Sequence, residues 1–156
     1  MGLVSEIKTA LSALSLSSFQ ETSSLLFTET QRLDDQHRFG RTRTCEVIIQ
    51  STKTASWWTV SNPHYTVVVD LRIFYPVNAE NTNVQDVIQA DAKLITQCIF
   101  EKTRDCPKTI NAYIGSLINS SIQQIRNQGL NSSQSGFQSW TDIYCHTMSF
   151  RFDVNS

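Results

Sequence analysis

The sequence predicts an α/β (α+β) fold: a four-stranded, mainly antiparallel sheet with a helix packed across one face, plus an N-terminal helix and extended loops. Three stretches carry this expectation. "HYTVVVDLRIFYPVN", His64 to Asn78, puts Tyr65, Val67, Val69, Leu71, Ile73 and Tyr75 on one side without a polar interruption. A helical stripe of Val84, Val87, Ile88, Asp91, Leu94, Ile95 and Cys98 comes next. The chain then closes on Tyr144, Met148, Phe150, Phe152 and Val154, alternating with Cys145, Thr147, Ser149, Arg151 and Asp153.

The elements follow in order. Leu3, Ile7, Leu11 and Leu14 form the stripe of a first helix, from about Leu3 to Leu14. Serine and threonine density in "SLSSFQETSSLLF" marks a connection, and 29–43, "ETQRLDDQHRFGRTR", reads as a long exposed loop or irregular arm. Thr44–Ser51 alternates as a first strand, which a turn containing Trp57 and Trp58 joins to the long strand. Burying that strand's apolar side contributes on the order of 10 kcal/mol, so it must meet a core. Val68 and Phe74 imply that its other, mixed side is partly covered as well. Pro76 cannot donate to a ladder and should end the strand. Thr82 with Gln85 makes a capping box, opening a second helix over about 83–100. Ile110, Tyr113, Ile114, Leu117 and Ile118 fit a short helix, weakened by Gly115, and 121–127, "SIQQIRN", a polar strand.

The bulk properties narrow the function class. The 156 residues are 40% hydrophobic and 17% charged, with a net charge of -1, so one domain spanning 1–156 is expected. That charge gives no global drive towards nucleic acid or an anionic membrane. The N-terminus lacks a basic region and a continuous apolar run, so no signal peptide is expected. No stretch approaches the length of a membrane span. Cys45, Cys98, Cys106 and Cys145 form no C-x-x-C pair and read as reduced, structural thiols.

Chemistry is sparse. Asp34, Asp35 and His37 have metal-ligand chemistry, but adjacent aspartates diverge, and a solvated loop explains them better; no metal and no cofactor is expected. His146 falls on the apolar side of the last strand, where a hydrogen-bonded core histidine is the plainer reading. No nucleophile elbow or phosphate-cradling glycine loop is present, so no enzyme is expected. The features suited to contact are Arg38, Phe39, Arg41 and Arg43 in the charged loop, and Trp57 and Trp58. Arginine and aromatic side chains make good interface anchors, and these six are the expected subunit or partner contacts.

The layout of N-terminal helix, polar loop, "RTCEVIIQ", "YTVVVDLRIFYP", "DVIQADAKLITQCI" and a final amphipathic strand resembles tailed-phage tail terminator proteins, also called tail completion or tail-to-head joining proteins. The resemblance rests on element order over most of the chain. It implies a subunit of a homo-oligomeric, typically hexameric, ring at the head-proximal end of the tail tube. Its implied partners are the tail tube protein and a neck or head-completion protein. The ring is assembled in the host cytoplasm as part of the virion, and genomic DNA passes through it without being bound. The region between the second helix and the last strand is long for such a protein. A head-completion or neck protein is the nearest alternative, and a ferredoxin-like binding module is the competing class.

Overall fold

The structure is a computed structural model that describes residues 2–16, 25–27, 43–54, 64–77, 84–105, 107–126 and 142–155. In chain order its elements are α1 (Leu3–Ser12), β1 (Leu26–Phe27), β2 (Thr44–Thr54), β3 (His64–Val77), α2 (Val84–Arg104), β4 (Tyr113–Arg126) and β5 (Asp142–Asn155). The strands form one open sheet in the order β1-β2-β3-β5-β4. The four long strands are antiparallel to their neighbours, as the α+β reading expects. The short β1, which falls in the expected connection, runs parallel to the start of β2.

The uninterrupted side of β3 does meet a core. Val69, Leu71, Ile73 and Tyr75 are fully buried, packed with Phe150 and Phe152 of β5 and with both helices. Ile7, Ala10 and Leu11 of α1 join Ile88, Ile95 and Ile99 of α2 in the same cluster, so both helices cover one face of the sheet. The thiol of Cys98 approaches the Ala10 carbonyl at 3.7 Å where the helices touch. The opposite face of the sheet holds a second, small cluster of Phe74, Ile143 and Cys145. Beside it Ser149 donates to Asp70 across the β3–β5 pair at 2.6 Å.

Two expectations about strands are corrected. β3 does not stop at Pro76 but runs to Val77, with Pro76 opposite Ile143. The β2 ladder ends at Thr44 opposite Phe74, so at Pro76 β3 is paired on one side only among the described residues, the edge setting that tolerates proline.

The larger correction concerns 110–127. The expected short helix and separate strand are one strand, β4. Register shifts at Gly115 and Ile118 each insert one extra residue, so Ile114 pairs with Phe152, Leu117 with Phe150 and Ser120 with Met148. Paired residues share a face, so the two bulges bring side chains three apart onto the helix-covered side. Spacing of three mimics a helix. Gly115 suits its bulge, because a Cβ there would lie 3.3 Å from Nε and 3.4 Å from the carbonyl of Arg151.

Candidate assembly surface

β4 is the outermost strand of the sheet, and among the described residues only β5 pairs with it. From Tyr113 to Ile125 it carries no charged residue and no proline. Natural edge strands are normally blunted by lysine, proline or short length, because open N–H and C=O groups recruit another strand. Here two bulges, and Arg126 at the strand's end, are the devices present among the described residues of a 14-residue strand. Large aliphatic side chains stand out along it: Ile118 is 49% exposed and Ile122 50% exposed.

Beside this edge lies a groove of about 670 Å³ between α2 and β4. Ala92, Thr96 and Phe100 form its helix side, and Leu117, Ser120 and Met148 its sheet side. Phe100 is 45% exposed at its rim, although it belongs to a helix whose next face is fully buried. In the sheet beside it, Ser120 Oγ and His146 Nε2 share a hydrogen bond of 2.8 Å. His146 is 2% exposed, and burial lowers its pKa, favouring the neutral ring. A serine–histidine pair invites a catalytic reading, but no described group hydrogen-bonds Nδ1 to orient the imidazole. The pair is the hydrogen-bonded core histidine that the sequence suggests.

Among the described residues the other side of the sheet is largely unpaired too. β1 pairs with Thr44 and Cys45 only, leaving β2 from Glu46 to Thr54 without a described outer partner. Ile49 is 47% exposed there, and Gln50, Ser51 and Thr52 are exposed beside it.

Of the six residues expected to make subunit contacts, Trp57, Trp58, Arg38, Phe39 and Arg41 lie outside the described residues, as do Asp34, Asp35, His37 and Thr82. Arg43 is described, and its expected place in an exposed loop is corrected: it is fully buried. Its Nη1 lies 2.7 Å from Oδ2 of Asp91, and the Tyr75 hydroxyl donates to the same oxygen at 2.9 Å. One carboxylate thus ties the entry of β2 and the end of β3 to the middle of α2. Burial, and then the Asp91 carboxylate, push the Tyr75 phenol well above its usual range. A buried pair of this kind fixes geometry; it offers no surface for a partner.

Cys45, Cys98 and Cys145 are buried free thiols. Burial foremost, with help from Glu46, pushes Cys45 up to about 12, which leaves it unreactive. Among the described residues no cluster of histidine, cysteine, aspartate or glutamate suits a metal ion, and no helix is long and apolar enough to cross a membrane. No protein-family model matches the chain, and no curated protein matches its sequence. Among the described residues, the exposed large apolar side chains gather at the two sheet edges and the groove flanking one of them. The sequence signal for β4 was its uncharged run, which the helical spacing of its aliphatic residues obscured.

Proposed function

We propose that this chain is a structural subunit of a phage virion, forming a ring at the head-proximal end of the tail tube, where it terminates tube polymerisation and joins tail to neck. The observation that carries this reading is the uncharged, exposed edge of β4 with the apolar groove beside it. Exposed Phe100, Leu117, Ile118 and Ile122, beside a long strand edge unpaired among the described residues, suit a subunit that associates. The order of helices and strands agrees with the layout on which the resemblance to tail terminators rests. Assembly then needs no cofactor and no reaction.

The test has two stages. Light scattering on the purified chain over a wide concentration range is expected to reveal a closed oligomer. Added to polymerising tail tube protein, the chain should shorten the tubes and be found at one end of each. A protein that stays monomeric and leaves tube length unchanged would refute the proposal. An oligomer that binds the neck protein but ignores tubes would favour the head-completion alternative.

A further inference from the structure

We infer that copies of this chain join edge to edge, the outer edge of β4 in one copy pairing with the outer edge of β2 in the next, so that one sheet continues from subunit to subunit. This deepens the ring reading above and rests on it.

The first support is strand direction. β2, β3, β5 and β4 alternate in direction across the sheet, so β4 and β2 at its two sides run opposite ways. A second copy placed in the same orientation therefore brings its β2 alongside β4 as an antiparallel neighbour, so the alternation of strand direction continues across the junction. The contact is head-to-tail, the kind that closes into a ring when the rotation per subunit is right. Pairing β4 with β4 would instead use the same patch on both copies and end at a dimer.

The second support is chemistry at the two edges. Tyr113–Ile125 of β4 and Val47–Thr52 of β2 are both uncharged, so their approach brings no like charges together and buries no unpaired ion. Asn119, Ser120, Ser121 and Gln123 on one side, and Gln50, Ser51 and Thr52 on the other, carry both hydrogen-bond donors and acceptors. Each edge also displays exposed aliphatic side chains: Ile118 and Ile122 on β4, and Ile49 on β2.

The third is length. The uncharged stretch Val47 to Thr52 offers six residues beyond the β1 pairs, a ladder about 20 Å long at roughly 3.4 Å per residue, which β4 is long enough to match.

The inference is tested with charges on each edge separately and then mixed. Ile118→Lys and Ile49→Lys should each lower the wild-type oligomer to the mass of one chain in light scattering. Mixed in equal amounts, the two variants should give a species of twice the chain mass and nothing larger, because one sound β4 edge and one sound β2 edge remain to form one junction. Ser121→Glu and Thr52→Glu, at exposed positions on the same strands, repeat the test should either lysine variant fail to fold by circular dichroism. If the wild-type chain forms rings and the β2-edge variants form them equally well, the edge-to-edge junction is wrong while the ring stands. A mixture that remains monomeric also overturns the junction. A wild-type chain that is monomeric at every concentration removes the ring itself.

Discussion

Arg43 and Asp91 stand 48 positions apart in the chain and 2.7 Å apart in the core, guanidinium against carboxylate with neither side chain open to water. Removing one partner takes a short charge-assisted hydrogen bond out of a fully buried ion pair. Asp91→Ala should therefore cost about 3–5 kcal/mol in urea unfolding. Tyr75→Phe, which loses one hydrogen bond to the same oxygen, should cost about 1.5–3 kcal/mol. The double change Arg43→Met with Asp91→Leu should cost less than Asp91→Ala alone, since both buried charges leave together and apolar side chains fill their place.

Alkaline pH should weaken the fold through groups held neutral in the core. Tyr75 and Cys45 have raised pKa values when folded, so their contribution is complete below the ordinary values of 10.0 and 9.0 and is lost as pH climbs above them. Each such group should add a slope of about 1.4 kcal/mol per pH unit. Unfolding midpoints measured upward from pH 9 should fall, and Cys45→Ser should make the early part of that fall shallower.

Acid should act through His146. Its pKa is lowered when folded, so the stability it contributes is present above its ordinary 6.5 and declines as pH drops below that value. Glu46, whose pKa burial raises, changes in the opposite sense nearer its ordinary 4.5. His146→Gln can keep a hydrogen bond to Ser120 without a titrating ring. Its unfolding midpoint should be flat between neutral pH and the carboxylate range, where that of the wild type declines.

Two phenylalanines separate folding from assembly. Phe150 is fully buried and meets the Phe152 ring at 6.3 Å between centroids. Phe150→Ala should cost about 3–5 kcal/mol. Phe100→Ser, at the groove rim, should alter subunit stability by no more than about 0.5 kcal/mol while raising the concentration needed for association in light scattering.

What could be read from the sequence follows from where side chains alternate cleanly. β3 and β5 keep period two over their length, and α2 keeps its stripe, so the antiparallel sheet and its helix were legible. β4 was not, because the extra residues at Gly115 and Ile118 convert alternation into a spacing of three. Asp91 was visible within the helical stripe, but its partner was hidden: Arg43 ends a run of charged residues, where nothing local marks one arginine as buried. The two sheet edges were hidden for a related reason: an edge strand is a property of topology, invisible until strand order is known.

Hydrogen exchange of the β4 amides, followed as concentration rises through association, tests most directly whether other copies cover these edges. Slow exchange emerging in both β4 and the Glu46–Thr54 part of β2 as mass increases is the predicted result. Rapid exchange in both strands within a fully formed oligomer would contradict it.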